Sequence, residues 1–476
     1  MTDEVNGATE RVHFIGIGGY GMSAIAKVLL EMGFRVTGSD VARAELTDKL
    51  AARGAQVFIG HDEGHVRGAD MVVYSTALSK DNVELSAAER LNIPTLHRSQ
   101  MLARLLNARK GIAVAGAHGK TTTSSMIAHV LERSGFDPTY LIGGEMLNVG
   151  SNARAGRGEY VVAEADESDG SFLQYRPQIA VVTNIEADHL ENYEGDFAKL
   201  RAAYEQYLSH VKPGGQAVVC VDDPYARELA DRTRKAAVLR YGMEAPGGGP
   251  CRPELEAEAR EVRLGDRRAS FELWSRGSRL GCIELFVPGR HNVYNALAAY
   301  LACREAGVAF APFAEAIRDF RGAKRRFQVV GEACGVLVVD DYAHHPTEIE
   351  ATIEAARATG RRIWAVFQPQ RYTRTYYLMS EFGGAFGGAD EVLLTDIYSP
   401  AGERRIEGVD SAMLAERIRA SGQSRVRYLP SKEEILSVLA NGVASGDLVL
   451  TMGAGDIWKV SHRLAQLLKE REEGES

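Results

Sequence analysis

The stretch Ile112 to Met126 constrains this chain more than any other. Ile112 to Ala115 is an apolar run that reads as a buried strand, and from Thr121 an amphipathic pattern continues to about Arg133, before Gly135. Gly116 and Gly119 lie in the loop between strand and helix. Such a loop lets backbone N–H groups close around a polyphosphate, and the helix N-terminus adds partial positive charge. Lys120 is placed to reach terminal phosphates and Thr121 to offer a hydroxyl to Mg2+. The usual phosphate loop carries a glycine five residues before Gly119, where Val114 stands, so the match is partial. The bland alternative is a strand-to-helix turn with an exposed lysine.

With 476 residues the chain has room for about three domains, each with its own core. Its 45% hydrophobic and 25% charged residues, with 49 glycines and 14 prolines, are an α/β composition rather than a disordered or fibrous one. A formal net charge of -8 argues against bulk nucleic-acid binding and leaves room for a local cationic site. Cys220, Cys251, Cys282, Cys303 and Cys334 are far apart without a paired spacing, so reduced core thiols are expected rather than zinc or disulfides. No apolar stretch reaches membrane-spanning length and Met1 to Arg11 lacks the make-up of a signal peptide, so the expected location is cytoplasmic, with no membrane partner.

Val12 to Ile17 reads as a strand, Gly16 to Gly21 as a glycine loop, Met22 to Met32 as a helix, and Phe34 to Gly38 as a second strand ending in Ser39 and Asp40. Gly16, Gly18, Gly19 and Gly21 permit close approach to a diphosphate and Asp40 is spaced to hold a ribose. By itself this unit fits NAD, or any nucleoside diphosphate. Strands follow near Gln56 to Phe58, Met71 to Tyr74 and Thr95 to His97, with a helix at Glu84 to Leu91, and the domain is expected to end near Asn107.

Tyr160 to Ala163 leads into an acidic run from Glu164 to Asp169, and Ile179 to Thr183 leads into Asn184 to His189. Each lies past a strand, where α/β ligand crevices form. Glu164 is the best-placed carboxylate for Mg2+, which needs only one or two beside bound phosphates. His189 is a poorer magnesium ligand by hardness and reads equally well as a capping or core histidine. The acidic runs otherwise read as solvated loops. Met243 to Glu261 reads as a surface excursion, followed by strands at Ala269 to Trp274 and Gly281 to Val287. Val293 to Glu305 is then a helix; Asn292 and Asn295 suit base recognition, and Asn292 suits a helix cap equally well. A last domain is expected after residue 322. Its strands are Val336 to Val339, Ile363 to Phe367, Glu391 to Thr395 and Asp447 to Met452, and polar residues gather after several of them.

Seven blocks in order make the resemblance specific. They are residues 16–23, 118–123, 163–169, 183–189, 288–292, 340–348 and 368–375. On these the chain resembles the ATP-dependent Mur ligases of peptidoglycan synthesis, most of all those that join L-alanine to UDP-N-acetylmuramate. The resemblance implies an N-terminal Rossmann-like UDP-binding domain (1–107), a central P-loop ATPase domain with mostly parallel sheet (108–322) and a C-terminal Rossmann-like amino-acid-binding domain (323–476). It implies that the muramate carboxylate becomes an acyl phosphate before L-alanine attacks, with ATP and Mg2+ as cofactors. Lys120, His189, His344 and Arg371 are then the catalytic candidates, with Tyr342 a further contact for the alanine. Gly116, Ala117, His118, Gly119, Lys120, Thr121, Thr122, Asn292, Asn295 and Arg326 are implied for ATP. Gly16, Gly18, Gly19, Gly21, Ser39 and Asp40 are implied for the UDP-sugar, and Thr121, Glu164 and His189 for metal. Two rivals stand beside this: a sister ligase that reattaches a recycled peptide to the same sugar, and a regulatory or NAD-binding protein. The chain departs from the family pattern at Ala117, often threonine, and at Gln370, often histidine. The segment Arg201 to Glu205 lacks the lysine that sister ligases carry as a carbamate, so no carbamate is expected.

Overall fold

The computed structural model describes residues 10–475 apart from Lys80, Pro246, Ala401 and Gly402. The described strands form three mostly parallel sheets with helices between them. The first has the order Gln56–Ile59, Arg35–Asp40, Arg11–Ile15, Met71–Tyr74, Thr95–His97, and every pairing is parallel. Sheets of this kind are covered on both faces, so their central strands are rich in apolar residues: Val12, Phe14, Ile15, Val72 and Val73 are completely buried. The middle strand, Arg11–Ile15, has neighbours reached by connections to opposite sides. The loop leaving it therefore opens at the switch point of the sheet, and helix Tyr20–Glu31 starts there.

The second sheet has ten strands, in the order Ser278–Leu285, Arg268–Ser275, Ala257–Gly265, Ala237–Met243, Gln216–Cys220, Ile179–Val182, Lys110–Ala115, Tyr160–Glu164, Thr139–Met146, Ser151–Arg154. Lys110–Ala115 pairs in parallel with Tyr160–Glu164 on one side, Val114 opposite Glu164, and with Ile179–Val182 on the other, Ala115 opposite Val182. That register delivers both acidic segments to the end of the sheet from which residues 116–119 emerge. Beneath it Phe172, Tyr204 and Tyr207 fill the core, and the Tyr207 hydroxyl donates to the Ala113 carbonyl at 2.8 Å. The expected surface excursion at Met243 to Glu261 is corrected at its end, because Ala257–Gly265 is a strand paired with Ala237–Met243. Ala257 and Ala259 are completely buried, while Arg260 turns its charge to Glu244 at 2.6 Å.

The third sheet runs Gln328–Ala333, Val336–Asp341, Asp447–Met452, Arg362–Phe367, Glu391–Leu394, Val426–Tyr428, with only the first pairing antiparallel. Two compact units result: one holds residues 1–261, 272–283 and 294–319, the other residues 262–271, 284–293 and 320–476. Cys220 and Cys303 are buried as core thiols, whereas Cys282 is exposed.

Candidate active site

In the second sheet the chain leaves Ala115 through two glycines at positive φ, Gly116 at 138° and Gly119 at 85°. At Gly116 a Cβ would lie 2.0 Å from the Thr183 hydroxyl oxygen, so this position requires glycine for space as well as for conformation. The neighbouring strand end clamps the loop. Asn184 accepts from the His118 N–H at 2.9 Å and from the Ala117 N–H at 3.3 Å, while the Thr183 hydroxyl donates to the His118 carbonyl at 2.6 Å. Gly119 is the N-cap of helix Lys120–Arg133 and offers no side chain to cap it, and no acidic residue lies in the first turn. The helix thus opens with its dipole uncompensated by its own sequence, as an anion site requires. Asn295 packs against this turn, accepting from the Thr123 hydroxyl at 3.1 Å.

The Lys120 ammonium donates to the Gly116 carbonyl at 2.6 Å and to both carboxylate oxygens of Glu167, at 2.8 and 2.9 Å. Burial alone would lower its pKa, but the charges of Glu167, Asp166 and Glu164 outweigh burial and the net shift is upward. Asp166 is held below the usual carboxylate range: burial opposes this, and Lys120, the Ser168 N–H and His189 prevail. The acidic run was expected to be a solvated loop; at Glu167, 3% exposed, that expectation is corrected. Glu164 closes its strand and accepts from the Gly143 N–H at 2.5 Å. His189 has positive φ, 55°, with its backbone N–H on Asp188 at 2.8 Å. It lies at the helical turn Leu190–Tyr193, and its side chain is neither core nor a cap hydrogen-bonding to that turn. Thr121 and Thr122 are buried in the first turn, and the His118 ring lies 3.1 Å from Glu186. Sequence reasoning passed over Glu167, Thr183 and Asn184 as individual residues, although all three stand in the blocks after the strands.

The first glycine loop is built differently. Gly16 has φ of 80°, and the Gly16 and Ile17 N–H groups donate to the Ser39 carbonyl at 2.8 and 3.0 Å. Asp40 accepts from the Gly18 N–H at 2.8 Å, so its carboxylate braces the loop. Ser39 is completely buried and donates to Glu84 at 2.5 Å, which places its side chain beneath the crevice rather than in it. Gly19 is the N-cap of helix Tyr20–Glu31, again without a side-chain cap, and Gly21 lies beside the Arg98 guanidinium.

Beyond the third sheet, His344 donates from Nδ1 to the Tyr342 carbonyl at 2.9 Å and lies 3.5 Å from Glu348. Burial pushes its pKa down to about 4, against the pull of Glu348, with the Arg374 and Arg326 charges adding to the fall. The ring is therefore neutral at pH 7, and with Nδ1 protonated its Nε2 is an acceptor. Arg326 stacks over Tyr342 at 5.3 Å and lies 3.8 Å from Glu348. Arg371 adopts φ of 68°, held by its N–H on the Tyr398 carbonyl at 2.9 Å, an unfavourable conformation of the kind kept at working sites. Gln370 accepts from the buried Arg374 at 3.0 Å. Asn292 does not cap its helix, which begins at Arg290; its amide donates to the Pro288 carbonyl at 2.6 Å.

Known proteins share this plan. Three family models match in succession: the Mur ligase catalytic domain over residues 11–110, the Mur ligase middle domain over 114–303 and the Mur ligase glutamate ligase domain over 325–455. The chain is 50% identical over 467 residues to the UDP-N-acetylmuramate–L-alanine ligase of Symbiobacterium thermophilum, covering 97% of this chain and 95% of that one. It is 48% identical to the enzyme of the same name from Pelotomaculum thermopropionicum, with 97% and 98% covered. Among solved structures it is similar to the UDP-N-acetylmuramate-alanine ligase of Thermotoga maritima, with a TM-score of 0.79 and 29% identity over 98% of this chain and 100% of that one. A murein peptide ligase from Psychrobacter arcticus shares the fold, at a TM-score of 0.68 and 24% identity over 96% and 98%. With the family models spanning all three sheets and close relatives matching nearly end to end, the chain belongs to the Mur ligase family.

Proposed function

We propose that this chain joins L-alanine to the carboxylate of UDP-N-acetylmuramate, cleaving ATP to ADP and phosphate, in peptidoglycan precursor synthesis. The observation that carries this reading is the 50% identity, over 97% of the chain, to a ligase of that name. The three sheets support a division of labour in which residues 1–107 take the uridine diphosphate, 108–322 the ATP and 323–476 the amino acid. The setting is the cytoplasm; among the described residues no helix is long and apolar enough to cross a membrane.

A carboxylate is ionised at neutral pH and cannot expel oxide when an amine attacks, so it must first be activated. In our reading a muramate oxygen attacks the γ-phosphorus, ADP leaves, and an acyl phosphate forms. The alanine amine then attacks the acyl carbon and phosphate leaves. The loop Gly116, Ala117, His118, Gly119 and the first-turn N–H groups of Lys120, Thr121 and Thr122 cradle the phosphates, and Lys120 meets the charge that develops on the phosphoryl oxygens. Asn292, Asn295 and Arg326 serve the nucleotide. The hard oxygen donors of Thr121 and Glu164 suit Mg2+, with His189 assigned to a second ion. Magnesium supplies charge neutralisation to the phosphoryl oxygens. Neutral His344 offers Nε2 as a hydrogen-bond acceptor to the alanine amine, which gives its surplus proton to solvent, and Arg371 supplies a cation for the alanine carboxylate. Gly16, Gly18, Gly19 and Gly21 face the diphosphate of the sugar nucleotide, with Asp40 bracing them and Ser39 fixing the strand end.

Phosphate release tests the proposal. With ATP, Mg2+ and UDP-N-acetylmuramate, L-alanine should be the best of the twenty amino acids, and glycine and serine should follow by roughly 10- to 200-fold in kcat/KM, the range one small group is worth in a pocket. A preference for a preformed peptide over alanine would reassign the chain to the recycling reaction.

A further inference from the structure

The Lys120 ammonium has three protons, and the protein itself provides oxygens for them: the Gly116 carbonyl at 2.6 Å, the two Glu167 oxygens at 2.8 and 2.9 Å and, more distantly, the Ala117 carbonyl at 3.4 Å. A phosphoryl oxygen can reach Lys120 only by displacing or sharing one of these. Glu167 is the anionic contact, with a carboxylate 3% exposed, and its backbone is tied down on two sides. Its carbonyl accepts from the Gly170 N–H at 3.1 Å and from the Tyr193 hydroxyl at 2.5 Å. A carboxylate and a terminal phosphate present the same pair of anionic oxygens to an ammonium. We propose that Glu167 is a positioning residue that stands in for the terminal phosphate, holding Lys120 aimed across the loop and yielding it when the nucleotide enters. The inference rests on the reading of residues 116–122 as the ATP loop.

The arrangement has a consequence of definite sign. Because Glu167 competes for Lys120 and repels an incoming polyanion, removing its charge strengthens ATP binding, while the loss of alignment slows the reaction. A residue that merely stabilised the fold would give weaker binding or none of this split. The test is calorimetric titration of the full chain with Mg-ATP, beside steady-state kinetics with UDP-N-acetylmuramate and L-alanine. Relative to the parent, Glu167→Gln should bind ATP about tenfold more tightly, since tenfold corresponds to one charge-assisted contact of ordinary strength, and its kcat should fall by about tenfold. Glu167→Asp keeps the charge but withdraws it by one methylene. It should bind ATP two- to threefold more tightly and retain more of kcat than Glu167→Gln, on the same arithmetic. Thermal melting of both variants checks the fold. If neither folded variant binds ATP more tightly than the parent, Glu167 is no stand-in and the proposal falls. If the parent itself fails to bind ATP, the assignment of the loop is at fault, and the inference goes with it.

Discussion

The loop after strand Arg11–Ile15 and the loop after strand Lys110–Ala115 occupy matching places, each leaving a strand with parallel neighbours on both sides and opening a helix whose N-cap is a glycine without a side-chain cap. They differ in what surrounds them. The first has the Asp40 carboxylate bonded to the loop's own Gly18 N–H and the Arg98 guanidinium beside Gly21. The second has an ammonium gripped by Glu167 and influenced by Asp166 and Glu164. On the proposed reading, the first loop needs only backbone, dipole and a neighbouring guanidinium to hold a diphosphate that does not react, whereas a loop that hands over a phosphoryl group must also manage charge that appears during the step. In the function we propose, the same backbone plan serves holding in one domain and chemistry in the next.

The sharpest break of this comparison is Lys120→Ala. It should lower kcat by about 10²- to 10³-fold, the range seen when a preorganised donor is removed from a developing anion, while UDP binding by calorimetry stays unchanged. Next comes a matched pair, Gly116→Ala against Gly16→Ala. Both force alanine to positive φ, costing on the order of 1–3 kcal/mol, but only Gly116→Ala also drives a Cβ into Thr183 at 2.0 Å. Denaturant melts should show Gly116→Ala losing clearly more stability, and ATP binding with it; equal losses would mean that the Asn184 and Thr183 clamp does not shape the loop. Asp40→Ala comes third. Leaving the Gly18 N–H without its carboxylate should raise KM for UDP-N-acetylmuramate by about tenfold, one hydrogen bond to a charged group, and leave KM for ATP alone.

The last effect appears only in acid. Glu84, completely buried under the first loop, has its pKa held at about 2: burial acts the other way, and the His13 imidazole 3.5 Å away together with hydrogen bonds from Ser39 and His65 outweighs it. A carboxylate whose folded pKa is depressed contributes stability above its unfolded value of 4.5, and that contribution is lost as pH falls through about 2. At most it amounts to on the order of 3 kcal/mol. Amide exchange in strands Arg11–Ile15 and Arg35–Asp40 should therefore lose protection between pH 4.5 and 2 faster in the parent than in Glu84→Gln.

Much of this plan was legible in the sequence, for a physical reason. Strands buried on both faces, such as Lys110–Ala115, Ile179–Val182 and Asp447–Met452, are apolar runs that nothing else explains. Strands with a wet face left no such trace: Ala257–Gly265 alternates small and charged residues, and the edge strands Gln328–Ala333 and Val426–Tyr428 are mixed or very short. In the site, spacing located Lys120 and the acidic run, but spacing does not tell which carboxylate of a run turns inward. Glu167 needed the structure for that reason. Ser39 is the converse case: the strand end was visible, while the pleat that turns its hydroxyl down onto Glu84 was not.

The central claim is that the loop at residues 116–120 passes a phosphoryl group to a carboxylate held from the first domain. It is tested most directly by turnover of UDP-N-acetylmuramate labelled with 18O in its carboxylate, in the presence of ATP, Mg2+ and L-alanine, with the released phosphate read by mass spectrometry. An acyl-phosphate route predicts one labelled oxygen in each phosphate released. Phosphate free of label, with the amide product formed at the normal rate, would contradict it.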